Sequence, residues 1–322
     1  MKAVRFHEFG GPEVLRYEEI PEPEPGPGEV VLRLGACGVN FIDTYERSGA
    51  YNVPLPWVAG QEGAGEIVAV GAGVTDVAVG QRGSYSQIRS SYAEFVRVPA
   101  HRLVKLPDGV DYLTAAAVTV QGMTAHYLVT SLFPLEPGHT CLVHAAAGGV
   151  GLLLTQMAKM RGARVIGTVS TEEKARLARE AGADEVIIYT EQNFVEEVRR
   201  ITGGEGLHVV YDSVGKDTFD SSLDCLAPRG YMALYGQSSG RVPPMDPQTL
   251  NAKGSVFLTR PSLERYTRTR EELDWRANDV FGWIAEGALQ VRISGTFPLS
   301  EAAEAHRLIG GRLSTGKLLL VP

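Results

Sequence analysis

The stretch Thr140–Thr168, TCLVHAAAGGVGLLLTQMAKMRGARVIGT, constrains this chain more than any other. Cys141–His144 is a short apolar run suited to a buried strand, AAAGGVG spans Ala145–Gly151, and an amphipathic run follows to Arg161. A second apolar run, Arg164–Thr168, completes a strand–helix–strand unit of the length a parallel crossover needs. Small residues recur as A-x-G-x-x-G at Ala146, Gly148 and Gly151. In a dinucleotide fingerprint the first makes the tight turn and the second admits a pyrophosphate to the backbone. The third lets the helix sit close to the strand. The start of the helix then offers free N–H groups and a positive dipole end to phosphate. Ala146 stands in for the first glycine, which requires that φ there stay negative.

The flanking sequence divides in character. Lys2–Phe6, Glu29–Ala36, Gly65–Val70 and Ala93–Val98 read as short Val-rich strands punctuated by Gly, the spacing of a β-rich, partly open barrel. Between the first two, PEPEPGPG at Pro21–Gly28 admits neither helix nor central strand and predicts an exposed extended connection. From Tyr112 the pattern alternates. Helices are predicted over Lys174–Ala181, Phe194–Thr202 and Thr218–Leu226, with strands over Glu185–Tyr189, Leu207–Asp212 and Tyr231–Tyr235. Such alternation specifies an α/β doubly wound parallel sheet. A long helix over Glu271–Glu286 and a last strand, Lys317–Val321, follow. The expected organisation is a dinucleotide-binding domain, residues 122–261, inserted into a discontinuous β-rich domain of residues 1–121 and 262–322. In that design a cleft between the domains is the expected active site.

Charge excludes some functions. The 322 residues carry a formal net charge of −7, which disfavours a dedicated nucleic-acid surface. No apolar run approaches membrane-spanning length, and MKAVRFHEFGG reads as a first strand rather than a signal core. Cys37, Cys141 and Cys225 are scattered and odd in number, as suits a reducing cytoplasm.

The segments GVNFIDTYERSG (Gly38–Gly49), GQEGAGEIVAVG (Gly60–Gly71), HAAAGGVG (His144–Gly151) and VVYDSVG (Val209–Gly215) resemble the medium-chain dehydrogenase/reductase superfamily. More narrowly they resemble its zinc-free quinone oxidoreductase branch, the NADPH:quinone reductases and zeta-crystallins. The resemblance spans essentially the whole chain and implies a GroES-like domain beside a Rossmann domain. Zinc alcohol dehydrogenases of that superfamily hold their catalytic metal with two thiolates and an imidazole. Those ligand positions fall at Asn40, Gln61 and near Ala115, and Cys37 lies three residues early. The cysteine-rich lobe for structural zinc is replaced by GSYSQIRSSYAEF. No metal is therefore expected. Without a Lewis acid, alcohol oxidation loses its main device, whereas an electron-poor acceptor still takes hydride.

The resemblance also implies site residues. Ala147, Gly148, Gly149 and Val150 would line the pyrophosphate. Ser170 stands where NAD-binding chains place the ribose-binding carboxylate, and Lys174 and Tyr189 match contacts to a 2′-phosphate, which favours NADPH over NADH. Read as local structure, Ser170 is an N-cap completed by Glu173, and Lys174 is solvated surface. Thr124, Ser213, Gly236, Gln237, Ser238 and Arg312 match further cofactor contacts. Asn40, Tyr45 and Gln61 are the candidate catalytic residues beside the nicotinamide. Asn40 would bond the cofactor or an acceptor carbonyl, and Tyr45 would stack on a flat ring or donate a proton. Asp43 and His144 read as satisfied structural groups. The expected activity is NADPH-dependent, zinc-independent quinone reduction. The alternatives are an enone or 2-alkenal reductase, or an NADPH-binding protein with a structural or RNA-binding role. The apolar stretch Gly254–Thr259 is a candidate edge strand for a homodimer.

Overall fold

The alternating Val-rich runs near the N-terminus form strands because every second side chain can be buried while the backbone pairs laterally. A computed structural model describes all of residues 1–322. The chain divides into two compact units, Met1–Met123 with Thr267–Pro322, and Thr124–Tyr266.

In the first unit a seven-stranded sheet runs Ile293–Pro298, Lys317–Val321, Glu29–Val39, Glu62–Val70, Arg82–Ser86 and Val104–Lys105, with Phe95–Pro99 also pairing on Glu29–Val39. Arg16–Glu19, Lys2–Phe6 and Trp57–Val58 form a smaller sheet. Val30, Leu32, Ile67, Val96, Leu318 and Leu320 fill the core between them with Phe6 and Tyr92. This is the GroES-like, partly open β architecture. Glu29–Val39 is central, and its pairing with two neighbours sets which polar residues meet at its carboxyl end. Val39 lies opposite Leu318, and Cys37 lies opposite Gly63. One further step along each antiparallel register sets Lys317 opposite Asn40 and Glu62 opposite Gly38.

The second unit is a six-stranded parallel sheet in the order Glu185–Ile188, Arg164–Val169, Thr140–Val143, Leu207–Asp212, Leu226–Leu234, Phe257–Thr259. Its strands are near-continuous apolar runs because helices cover a parallel sheet on both faces. The last helix expected before Leu226 is shorter than the sequence pattern suggests: it spans Phe219–Leu223, and Leu226 already belongs to the next strand. Chain order reverses at Thr140–Val143, whose neighbours are the second strand on one side and the fourth on the other. That switch point is where open α/β sheets take ligands. His144 confirms its structural character. Its ring is fully buried between Thr168 Oγ1 at 2.8 Å and Ser222 Oγ at 2.9 Å, and burial lowers its pKa. No helix is long and apolar enough to cross a membrane.

Candidate active site

The glycine turn begins where Thr140–Val143 ends. His144 N–H donates to Tyr211 O and Ala146 N–H to Thr168 O, tying the turn to both neighbouring strands. The left-handed residue is Ala145, at φ +50°, rather than Ala146, which meets the requirement for a negative φ there. A Cβ on Gly151 would lie 2.3 Å from Ala145 O, so glycine is required for the helix to approach the turn. Gly148 differs. Its backbone is extended (φ −77°), open to any residue, and the nearest atom to an added Cβ is Ala145 O at 3.1 Å. Neither turn geometry nor packing demands glycine there as strongly, whereas room for a phosphate does. Leu152 N–H, bonded to Gly148 O, closes the first helical turn. The N–H groups of Gly149, Val150 and Gly151 precede it and so have no partner within the helix.

The carboxyl ends of neighbouring strands place Ser170, Tyr189, Ser213 and Gly236–Ser238 along the same edge. Val169 and Ile188 are in register, so Ser170 and Tyr189, which come directly after them, are neighbours. Ser170 is not the helix cap. Thr171 fills that role, its Oγ1 accepting from Lys174 N at 3.3 Å, because the helix starts at Glu172. Lys174 is half-buried and Tyr189 is exposed. Ser213 and Gly236–Ser238 are drawn together: Ser238 N–H donates to Ser213 O, and a Cβ on Gly236 would lie 2.4 Å from that same oxygen. Asp212 shapes this loop by accepting from Val214 N, Gly215 N and Thr218 Oγ1. Ala147 is buried beside the turn, and Thr124 is buried in the helix Tyr112–Tyr127. Arg312, in the first unit, is exposed in a left-handed turn (φ +56°) after the helix Ala302–Gly310.

The first unit holds a buried polar nest at Asn40, which precedes the helix Phe41–Arg47. Lys317 Nζ donates to Asn40 Oδ1 at 2.8 Å, and Asn40 Nδ2 donates to Glu62 Oε2 at 2.9 Å. Lys317 and Glu62 also form an ion pair with each other, and Val120 N–H donates to the other Glu62 oxygen. Gly38 makes this possible, since a Cβ there would lie 2.2 Å from Glu62 Oε2. Gln61 is tied elsewhere. Its Nε2 donates to Glu46 Oε1 at 2.6 Å, on the helix that also carries Tyr45. Tyr45 packs against Phe41 and, edge-on, against Tyr51, with centroids 5.4 Å apart in the second pair. The two amides at the metal-ligand positions are thus both bonded to charged neighbours.

Asp43 accepts from Asn40 N at 2.8 Å and Tyr92 Oη at 2.9 Å. Arg47 donates to His306 Nδ1, which leaves Nε2 as the protonated nitrogen facing Tyr92 Oη. Burial pushes the Asp43 carboxyl up to about 7, and its Oδ1 has no partner. Burial, with the Arg47 charge beside it, pushes His306 down to about 3. The protonated Asp43 therefore contributes stability that is complete below its ordinary value of 3.8 and lost as pH rises through about 7. Neutral His306 contributes stability that is complete above 6.5 and lost as pH falls toward about 3. The two slopes oppose each other in between. Melting temperatures between about pH 4 and 6.5 should rise with pH in Asp43→Asn and fall in His306→Gln. Slopes of the same sign in both variants would contradict this assignment.

Glu62, Lys317, Tyr92 and His306 were not singled out in the sequence. The signals were slight: a lysine opening the apolar strand KLLLV, and a glutamate inside the glycine-rich GQEGAG.

A GroES-like β unit combined with a doubly wound dinucleotide-type unit is the architecture of medium-chain dehydrogenases and reductases. Residues 26–108 match the profile described as "Alcohol dehydrogenase GroES-like domain", and 149–277 that described as "Zinc-binding dehydrogenase". A quinone oxidoreductase of Pseudomonas aeruginosa is 47% identical, covering 100% of this chain and 99% of its own. A 2-haloacrylate reductase of a Burkholderia species is 44% identical over 99% of this chain and 98% of its own. The structure of Escherichia coli quinone oxidoreductase complexed with NADPH superposes with a TM-score of 0.98 at 43% identity, covering 100% of both chains. The chain belongs to the quinone oxidoreductase branch of the medium-chain dehydrogenase/reductase superfamily.

Proposed function

We propose that this chain is an NADPH-dependent quinone reductase that works without zinc. The observation that carries the reading is the phosphate cradle at Gly148–Gly151, where a glycine is kept at a position that neither φ nor packing strictly demands. Ala147–Val150 and the helix start would hold the pyrophosphate. Ser170, Lys174 and Tyr189 would hold a 2′-phosphate, since no carboxylate stands at 170 to repel it. Glu172, two positions further on, is paired with Arg179 at 2.6 Å. Ser213 and Gly236–Ser238 would border the middle of the cofactor. Thr124, Asn40 and Arg312 are the further residues we assign to cofactor contacts. When bound, the cofactor supplies hydride. The aromatic group Phe41, Tyr45 and Tyr51 would offer a flat acceptor a stacking surface, Gln61 would orient it, and solvent would protonate the product oxygens.

The zinc-free reading is supported by charge. A divalent cation on Asn40 Oδ1 would have to displace the Lys317 ammonium 2.8 Å away. Amide oxygens are also poor zinc ligands beside thiolate and imidazole.

A titration tests the cofactor assignment. Wild type should bind NADPH more tightly than NADH, and Lys174→Ala should weaken NADPH about tenfold while leaving NADH within about twofold. Equal losses for both nucleotides would contradict it. A second reading, reduction of electron-poor alkenes, is favoured by the 44% identical 2-haloacrylate reductase. Turnover of 1,4-benzoquinone and 9,10-phenanthrenequinone measured beside 2-chloroacrylate and 4-hydroxynonenal separates the two, and turnover of the alkenes alone would overturn the quinone reading.

A homodimer through the sheet edge is part of the same proposal. Phe257–Thr259 pairs on one side only, and Phe257 is half exposed while stacked on Tyr231 at 4.6 Å. Sedimentation should give the dimer mass for wild type and the monomer mass for Phe257→Lys. A monomeric wild type would contradict it.

A further inference from the structure

The loop that follows Leu207–Asp212 and the loop that follows Leu226–Leu234 are laced to each other. Asp212 fixes the first from the sheet side through Val214 N–H, Gly215 N–H and Thr218 Oγ1. The second meets it through Ser238 N–H on Ser213 O and Ser239 N–H on Val214 O at 2.8 Å. Lys216 N–H returns a bond to Gly240 O. A Cβ on Gly215 would lie 2.8 Å from that oxygen, so the loops touch backbone to backbone. At the centre of the lacing is Ser239, a side chain outside the candidate contacts. Its Oγ donates to Val214 O at 2.8 Å and accepts from Asp217 N–H at 3.0 Å. A carbonyl only accepts and an N–H only donates, so both bonds have a fixed direction. The one hydroxyl hydrogen is spent between the loops.

We propose that Ser239 is a positioning residue that holds Ser213 and Gly236–Ser238 as a preformed wall for the nicotinamide half of NADPH. Strand order supplies the reason. Arg164–Val169 and Glu185–Ile188 lie on one side of Thr140–Val143, and Leu207–Asp212 and Leu226–Leu234 lie on the other. Ser170 and Tyr189 therefore flank the glycine turn on the side opposite to the two laced loops. A dinucleotide with its pyrophosphate at the turn and its 2′-phosphate at Ser170 lays its remaining half toward the loops. That placement rests on the phosphate sites of the proposed function. Loops fixed before binding spare the ligand the cost of ordering them. The Ser239 hydroxyl thus raises affinity through the loops, and it does so for the nicotinamide half alone.

Binding calorimetry on Ser239→Ala with three ligands tests the proposal. Asp217 is exposed, so water takes the place of the lost oxygen at its N–H and the fold is retained. The dissociation constants for NADPH and NADH should both rise about five- to tenfold. That for 2′,5′-ADP, which lacks the nicotinamide half, should stay within about twofold. Ser239→Thr keeps the hydroxyl and should leave all three within about twofold of wild type. A purely structural role would weaken all three ligands together or none of them, and either result overturns the proposal. Equal losses in Ser239→Thr and Ser239→Ala overturn it too, because the hydroxyl would then not be the cause. Failure of 2′,5′-ADP to bind wild type would overturn the nucleotide reading, and this proposal with it. Should Ser239→Ala not fold, hydrogen exchange on nucleotide-free wild type supplies the readout. The Asp217 and Ser239 N–H groups should exchange at least about tenfold more slowly than in an unfolded chain. Exchange at the unfolded rate would mean that the loops are not fixed before binding, and overturns the proposal.

Discussion

Gly148→Asp should keep a melting temperature close to that of wild type and bind NADPH at least about a hundredfold more weakly. The position is the N-cap of the helix Gly149–Met160, with extended backbone and only Ala145 O near an added Cβ. Aspartate is among the best N-cap residues and its charge suits the helix dipole, which offsets the small shift that Ala145 O, 3.1 Å from an added Cβ, must make. The same carboxylate occupies the phosphate cradle and satisfies the N–H groups that the pyrophosphate would use. Stability and binding are therefore expected to move independently. Calorimetry for both quantities checks this, and NADPH affinity within about threefold of wild type would rule out the cradle as the phosphate site.

Lys317→Met alone should destabilise the protein by about 3–5 kcal/mol, the usual effect of removing one partner of a buried ion pair. Glu62 would be left fully buried, with Asn40 Nδ2 and Val120 N–H as its only donors. Adding Glu62→Gln in the same chain should recover most of that loss, since the stranded charge disappears. Chemical denaturation of the single and double variants measures the coupling. A loss below about 1 kcal/mol for the single variant would mean that water or another group reaches Glu62.

Much of the fold was legible because its elements carry strong local patterns. Leu207–Asp212 and Lys317–Val321 have the bounds their apolar runs suggest, and the glycine turn announced a helix start. The short helix Phe219–Leu223 was overestimated because Leu226, apolar and in helical phase, is claimed by pairing with Leu207. Thr171 rather than Ser170 caps its helix, a choice between adjacent hydroxyls that periodicity cannot make. In the candidate site, sequence pointed to Asn40, Tyr45 and Gln61 but not to what holds them. Lys317 lies 277 positions from Asn40, and Glu62 lies 22 from it. Only strand register brings the three together, and register is a tertiary property.

The most direct test is turnover of 9,10-phenanthrenequinone with NADPH by protein stripped with a zinc chelator and shown by elemental analysis to hold less than about a tenth of an equivalent of metal. A zinc-free reductase should oxidise NADPH at the rate of the untreated protein, with no gain on adding Zn²⁺. Activity that disappears on stripping and returns with Zn²⁺ would contradict it.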